Sequence, residues 1–155
     1  MPASPALAVR VRRAQPSDLD ELVALEQASF DGDRLSRAQY RRHLDSDSAL
    51  VLAAVDAPHR LLGAAVLFFR KGSGAARLYS LASDPAARGR GVGGALLEAA
   101  EAAARRRRCR AMRLEVRADN AAAIRLYERH GYRRLSRLEG FYEDGTDGWK
   151  YAREL

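Results

Sequence analysis

The chain has 155 residues, which is enough for one domain with a true hydrophobic core, and we expect a single domain over residues 1–155. Hydrophobic residues make up 47% and charged residues 30%, a balance typical of soluble globular proteins rather than of membrane or disordered ones. No apolar run approaches a membrane span, and the first residues lack a long apolar segment followed by a cleavage site. The single Cys109 excludes a disulfide within the chain, so we expect a cytoplasmic protein.

The net charge of +7 raises the question of nucleic-acid binding. All but Lys71 and Lys150 of the 27 basic residues are arginine, which also fits a compositional bias of the coding sequence. The densest basic run, Arg105–Arg108, falls at the end of a predicted helix, where cations complement the helix dipole. We interpret it as a solvated helix end, with a docking surface for RNA or an acidic protein as the less favoured alternative.

Apolar runs bounded by turn residues predict the elements of the first half in chain order. The expected strands are 8–12, 49–55, 61–69 and 77–83. Short turns at 56–59 and 71–74 join the last three strands, which predicts an antiparallel meander. Two helices lie between the first two strands, one starting at Pro16 with Ser17 as a candidate N-cap and one running from the cap Ser36 to Leu44.

A glycine-rich loop between the strand at 77–83 and a helix over 95–104 is the most informative stretch of the sequence. Glycines at 89, 91, 93 and 94 allow close approach of the backbone to a ligand, and a helix N-terminus favours an anion. Arg88 and Arg90 add positive charge, so we predict phosphate binding; the alternative is a flexible connector. The spacing also fits a dinucleotide fingerprint, but that motif belongs to the first strand–helix unit of a repeated fold, and this loop lies past mid-chain.

The run Met112–Arg117 alternates apolar and charged residues, which predicts a strand with two different faces. It follows a crossover helix, so we expect it to lie parallel to the strand at 77–83 in the centre of the sheet. Central strands are mostly apolar on both faces, so the charged face of this strand needs an explanation, and two are possible. Either Arg113, Glu115 and Arg117 form a solvated ladder, or the two parallel strands separate and Glu115 faces the gap.

The last third of the chain predicts one helix and one hairpin. Asp119 or Asn120 caps a helix over 121–130, and Gly131 ends it. Tyr127 lies on its apolar face, where a core tyrosine with a satisfied hydroxyl is the ordinary interpretation. Residues 132–138 and 149–155 predict a final hairpin, and its connecting segment at 139–145 is aromatic and acidic. The histidines at 43, 59 and 130 show no metal-ligand spacing with one another or with Cys109, so we expect no metal site.

The segment Arg88–Gly93 resembles the Arg/Gln-x-x-Gly-x-Gly/Ala loop of the Gcn5-related N-acetyltransferase (GNAT) superfamily, and Leu114–Tyr132 resembles the second half of that signature. The sequence of these two segments is most similar to the bacterial ribosomal-protein alanine N-acetyltransferases. The resemblance implies an α/β (α+β) fold whose mixed, mostly antiparallel sheet has a central splayed parallel strand pair and helices on both faces. It also implies acetyl-coenzyme A as co-substrate.

The resemblance assigns roles to individual residues. Glu115 is the implied general base, and Tyr127 is implied to protonate the leaving thiolate. The implied coenzyme-binding residues are Leu81, Ala82, Ser83, Arg88, Gly89, Arg90, Gly91, Val92, Gly93, Gly94 and Asn120. The residues implied to border the acceptor are Phe30, Asp31, Asp33, Phe141 and Tyr142. Leu138 and Glu139 stand where those enzymes carry a basic pair before the two aromatics.

The resemblance implies acetyl transfer to a primary amine in a ternary complex, and we expect a protein N-terminus as acceptor. The alternatives are a protein lysine and a small cationic amine, which acidic residues in two loops would suit. Those residues are Asp31, Asp33, Glu143 and Asp144. A non-catalytic acyl-coenzyme A-binding module is the alternative from another class. We expect no membrane partner and no nucleic-acid substrate.

Overall fold

A computed structural model describes residues 8–56 and 60–155. The strands are β1 (Arg10–Arg13), β2 (Ala49–Asp56), β3 (Arg60–Phe69), β4 (Ala75–Ser83), β5 (Ala111–Arg117), β6 (Arg133–Leu138) and β7 (Gly148–Glu154). The α-helices are α1 (Leu19–Ser29), α2 (Arg37–Leu44), α3 (Val92–Arg106) and α4 (Ala121–Arg129). Single 3₁₀ turns at Pro16–Asp18 and Pro85–Ala87 lead into α1 and into the glycine loop. None of the helices in the described part of the chain is long and apolar enough to span a membrane.

The strands form one sheet in the order β1-β2-β3-β4-β5-β7-β6. All neighbours are antiparallel except β4 and β5, which run parallel. The parallel pairing begins at Ala75 opposite Ala111 and stops at Leu78 opposite Leu114, although both strands continue. The predicted mixed sheet with a splayed central pair is therefore confirmed, and the splay opens a gap beside the second half of β4.

Helices cover both faces of this sheet, as predicted. α1 and α2 pack on β2, β3 and β4 through a core that includes Leu22, Tyr40 and Val66. On the other face, α3 and α4 pack through a second core that includes Leu96 and Tyr127. The predicted apolar face of α3 is buried as expected, because its small alanines let the helix lie close to the strands.

The helix starts are partly as predicted. Ser36 caps α2, its hydroxyl accepting from the backbone N–H of Gln39 at 3.1 Å, and Asn120 caps α4. The prediction for Ser17 is wrong, because Ser17 lies inside the 3₁₀ turn before α1. The carboxylate of Asp18 organises this turn instead, accepting from the backbone N–H of Gln15 at 2.7 Å and from the guanidinium of Arg12.

The remaining boundaries differ by a few residues from the predicted ones. β1 begins at Arg10 rather than at residue 8. The last two strands pair as the expected hairpin, with β7 lying between β5 and β6. Residues 57–59 of the predicted turn and residues 1–7 at the start lie outside the described residues, and His59 is among them.

Candidate active site

The glycine loop before α3 has the backbone geometry that an anion site needs. Gly89 and Gly91 have φ angles of 82° and 74°, and a Cβ at either position would meet nothing within 4 Å. The backbone is therefore open on this side, and the left-handed conformation explains why glycine is required. Helix α3 has 15 residues, so its first N–H groups and its dipole favour a phosphate at this point.

Residues 93 and 94 are glycines for a different reason, which is the limited space available. A Cβ on Gly93 would lie 3.1 Å from Cδ2 of Leu126, and one on Gly94 would lie 3.6 Å from the ring of His130. Both contacts come from the region of α4, so these glycines let the two helices approach each other. Val92 likewise buries its side chain in the core and can offer only its backbone to a ligand.

The two arginines of the loop have different environments. Arg88 is exposed. Nη1 of Arg90 lies 3.0 Å from Oδ2 of Asp56 at the end of β2, and the Asp56 side chain is only 6% exposed. This contact ties the loop to the sheet, so the guanidinium of Arg90 supports the loop while that of Arg88 faces solvent. Sequence analysis did not single out Asp56, because 34 residues separate it from Arg90.

The second half of β4 borders the gap that β5 leaves open. Asp84 donates its backbone N–H to Leu62 of β3 at 2.8 Å. Because successive residues of a strand direct their peptide groups to opposite sides, those of Leu81 and Ser83 face the gap and that of Ala82 faces β3. A ligand in the gap can therefore pair with two peptide groups of β4. The strand also has a bulge at Tyr79, two residues before Leu81, where the register to β3 shifts.

Glu115 lies on the sheet face opposite α3, as its alternation with Leu114 and Val116 predicts. Its side chain is 20% exposed and accepts from Nε of Arg77, at a distance of 3.1 Å. Glu115 is therefore partly sheltered but reachable from solvent. The simple ladder of three neighbouring charges on β5 is not formed, because the partner of Glu115 is Arg77 on β4.

Tyr127 is 5% exposed and packs its ring 5.8 Å from that of Tyr132. Burial raises the pKa of Tyr127 well above its usual value, so the hydroxyl keeps its proton at neutral pH. The described residues provide no hydrogen-bond partner for this hydroxyl. A buried tyrosine normally has such a partner, so the hydroxyl of Tyr127 is available to a ligand.

Tyr142 connects the two proposed catalytic side chains. Burial raises its pKa to about 12, with a further contribution from the negative charge of Glu115. Tyr142 also lies close enough to Tyr127 to raise the pKa of that residue. Tyr142 on the β6–β7 segment thus interacts electrostatically with both side chains. Phe141 stacks edge-on against Tyr142 at 5.0 Å and is 47% exposed, so the pair forms an aromatic wall.

Arg117 holds that wall to the loop between α1 and α2. Nη2 of Arg117 donates to Asp144 at 2.6 Å and to Thr146 at 2.9 Å, and Nε donates to Asp119 at 3.1 Å. Nη1 lies 3.7 Å from Asp33, and the guanidinium lies 4.9 Å from the centre of the Tyr142 ring. The positive charge holds the pKa of Asp144 well below its usual range. Sequence analysis did not assign this role to Arg117.

The α1–α2 loop makes a second contact with the β6–β7 segment. The backbone N–H of Asp33 donates to Oε2 of Glu143 at 3.2 Å, and Asp33 has a left-handed φ of 52°. Phe30 at the start of this loop packs on the core beneath it, whereas Asp31 is exposed. Of the predicted acceptor residues, the structure therefore brings Asp33, Phe141 and Tyr142 together and leaves Asp31 apart.

Asn120 lies at the start of α4, beside β5. Its Oδ1 accepts from the backbone N–H of Ala123 at 3.2 Å, which leaves the amide NH₂ group as a donor. The predicted contact of Asn120 with the pantetheine arm is thus chemically compatible with its capping role. Asp119, the other candidate cap, pairs with Arg117.

The chain is similar in sequence to proteins from two bacteria. A mycothiol acetyltransferase from Clavibacter michiganensis is 36% identical over 123 residues, covering 75% of this chain and 40% of that protein. An uncharacterised protein from Mycobacterium leprae is 34% identical over 148 residues, covering 90% of this chain and 39% of that protein. The chain thus spans about two fifths of the length of these relatives.

Solved structures match over nearly the whole chain. The ribosomal-protein-S18-alanine N-acetyltransferase from Escherichia coli superposes with a TM-score of 0.84 at 25% identity, covering 95% of this chain and 94% of that one. Ard1 from Thermoplasma volcanium superposes with a TM-score of 0.85 at 26% identity, covering 96% and 99%. The model of the acetyltransferase (GNAT) family matches residues 18–132. The chain therefore belongs to the acetyltransferase (GNAT) family of acyltransferases.

Proposed function

We propose that this protein transfers the acetyl group of acetyl-coenzyme A to a primary amine by direct attack in a ternary complex. The observation that carries the proposal is the gap between β4 and β5. The glycine loop and α3 follow directly on β4, peptide groups of β4 face the gap, and Glu115 follows the point where the parallel pairing ends. A coenzyme site and a carboxylate base are thus close to one opening in the sheet.

The residues around the gap divide the binding of acetyl-coenzyme A between them. The N–H groups at the start of α3, with the exposed Arg88, suit its pyrophosphate. Leu81 and Ser83 offer peptide groups to the pantetheine arm and to the thioester carbonyl. Asn120 offers its amide NH₂ group, since its oxygen is used in capping α4. The Arg90–Asp56 pair keeps the loop in place beneath them.

Glu115 accepts a proton from the ammonium group of the acceptor, so that a nitrogen lone pair can form the new C–N bond. Backbone N–H groups of β4 donate to the thioester oxygen as it takes up negative charge. When the C–S bond breaks, the sulfur leaves with its electron pair and receives a proton from Tyr127. Solvent takes the second proton of the amine and returns one to Tyr127. The raised pKa of Tyr127 ensures that its hydroxyl carries the proton beforehand.

A protein N-terminus is the proposed acceptor. The likeness to the ribosomal-protein-S18-alanine N-acetyltransferase from Escherichia coli, whose acceptor is a protein, supports this choice. The aromatic wall of Phe141 and Tyr142, joined by Arg117 to the α1–α2 loop, supports it as well, because a wall of this kind suits an extended peptide. The acidic loop residues provide less support for a small polycation, since Asp33 and Asp144 pair with Arg117.

A small-molecule amine is the second candidate acceptor. The observation that favours it is the likeness to the mycothiol acetyltransferase from Clavibacter michiganensis, at 36% identity over 75% of this chain. A protein lysine stays a third alternative. The cytoplasmic location and the exclusion of nucleic acid stay predictions from the sequence.

An acceptor screen tests the proposal. Peptides with a free N-terminus, lysine peptides with a blocked N-terminus, and small amines are each incubated with acetyl-coenzyme A, and free thiol is measured. We expect Glu115→Gln to lower kcat by about 10²- to 10⁴-fold, the range of general-base catalysis, while acetyl-coenzyme A still binds. Tyr127→Phe should lower kcat and leave binding of acetyl-coenzyme A intact. If wild type binds acetyl-coenzyme A but acetylates no amine, the chain is a non-catalytic binding module.

A further inference from the structure

A groove of about 340 Å³ runs from Glu115 along the sheet face opposite α3. Its charged lining consists of Arg70, Arg77, Arg113, Lys150 and Glu115. Phe68 and Phe69 supply an apolar side wall. Four cations thus surround one carboxylate, and that carboxylate is the proposed base.

Most of this positive charge is not compensated. Arg77 pairs with Glu115, whereas Arg70, Arg113 and Lys150 form no ion pair with any residue of the described segments. The sheet register places Arg77 directly beside Arg113 and Glu115 directly beside Lys150. Like charges side by side on neighbouring strands repel each other, so an anion in the groove would relieve the repulsion.

The acidic residues of the site lie at its other end and share a single arginine. Arg117 pairs with Asp33, Asp119 and Asp144. Glu143 accepts from the backbone of Asp33. The site thus carries charge of opposite sign at its two ends: the groove next to Glu115 is net positive, and the loops at the other end are net negative.

We propose that this groove, defined by Arg70, Arg77, Arg113 and Lys150, binds acidic side chains that follow the acetylated residue of a peptide acceptor. This inference rests on the proposed function, because it takes Glu115 to mark the position of the amine. The volume lies at the low end of the range for ligand pockets, about 300–1,000 Å³, which suits a few side chains of an extended peptide rather than a nucleic-acid helix. Phe68 and Phe69 offer apolar contact to the methylene groups of those side chains.

The test compares three peptides that share the same first residue and carry acidic, neutral or basic residues at the next positions. We expect kcat/KM for the acidic peptide to exceed that for the neutral peptide by roughly 2- to 10-fold at low salt, as for a few exposed ion pairs. The difference should lie in KM, because the groove does not contact the thioester. It should also shrink as the salt concentration rises.

The variant Arg113→Gln with Lys150→Gln removes the two cations next to Glu115 that have no ion pair, and the control is Arg41→Gln in α2. We expect the double variant to lose the preference for the acidic over the neutral peptide, while the control keeps it. Because both peptides are measured on the same variant, any change in Glu115 itself affects them equally and leaves this ratio unaltered. Fluorescence anisotropy of the labelled peptides, in the presence of coenzyme A, measures binding without turnover. An RNA oligonucleotide is titrated in parallel.

Each outcome decides the inference. Equal kcat/KM and equal affinity for acidic and neutral peptides overturn it and leave the proposed acetyl transfer intact. If RNA binds more tightly than any of the peptides, if this binding depends on Arg113 and Lys150, and if the enzyme shows no preference among the peptides, the groove is a nucleic-acid site instead. If no peptide is acetylated, the proposed function fails for peptides, and the anisotropy measurement alone then shows whether the groove selects acidic side chains.

Discussion

Gly63 in β3 is the position where one added methyl group should disturb both halves of the proposed coenzyme site. A Cβ on this residue would lie 2.7 Å from the backbone oxygen of Ala82, 2.7 Å from Cγ1 of Val92 and 3.0 Å from Cδ1 of Leu96. Ala82 lies between the two residues whose peptide groups face the gap, and Val92 begins α3. The variant Gly63→Ala must therefore displace β4, α3 or both from β3.

The size of the effect follows from these contacts. Overpacking in a well-packed core costs about 1–3 kcal/mol, and the backbone oxygen of Ala82 cannot move out of the way as a side chain could. For a chain of this length, each kcal/mol lowers Tm by about 2–4 °C. If about half of the crowding is relieved by moving β4, the affinity for acetyl-coenzyme A should fall by roughly two- to tenfold, since 1.4 kcal/mol corresponds to a factor of about ten.

Urea unfolding and calorimetric titration with acetyl-coenzyme A measure the two effects separately. Gly74→Ala is the matched control, because a Cβ there would lie 3.7 Å from Nε of Arg110, an ordinary contact. The control should change neither quantity by more than about 0.5 kcal/mol. If Gly63→Ala unfolds at the wild-type urea concentration and binds acetyl-coenzyme A as tightly, the close packing of β3, β4 and α3 is not what shapes the site.

Two further predictions concern Arg117 and Asp18. Arg117→Gln should raise KM for a peptide acceptor several-fold and leave the affinity for acetyl-coenzyme A unchanged, because Arg117 joins the acceptor loops and not the glycine loop; an equal loss of both would contradict this. Asp18 has a lowered pKa, chiefly through its hydrogen bonds from Arg12, so it stabilises the fold above the ordinary Asp pKa and loses this effect as pH falls through the lowered value. The unfolding free energies of wild type and Asp18→Asn should therefore differ by about 1 kcal/mol near neutral pH and converge in acid. The exposed Asp20→Asn is the control, and a difference that persists in acid would refute the assignment.

Local signals in the sequence were sufficient for most of the fold. Strand periodicity, turn residues and the glycine loop each depend on neighbours within a few residues, so they predicted the meander and α3. The splayed pair was implied by the resemblance to the GNAT superfamily. The alternation of Leu114, Glu115 and Val116 likewise predicted which face Glu115 occupies. Ser17 shows the limit of such signals. The chain at the start of α1 is held by the Asp18 carboxylate, which reaches back to the backbone N–H of Gln15, and not by the Ser17 hydroxyl.

The partners of the arginines could not be predicted in the same way. Arg77 lies 38 residues from Glu115, and Arg117 lies 27 residues from Asp144. These residues come together only through the register of the sheet and through the contact between the α1–α2 loop and the β6–β7 segment. In a chain where arginine supplies almost all basic residues, each carboxylate also has many possible partners. The bulge at Tyr79 has no signal of its own, since neither glycine nor proline stands there.

This dependence on tertiary pairing changes the expectation for the acceptor's charge. From the sequence, the carboxylates of the two loops suggested a cationic amine as an alternative acceptor. In the folded chain, Arg117 pairs with Asp33 and Asp144, so part of this negative charge holds the two loops together. Beside Glu115, Arg113 and Lys150 form no ion pair with any residue of the described segments. We expect these unpaired cations to favour an acceptor whose carboxylates reach the groove beside its amine.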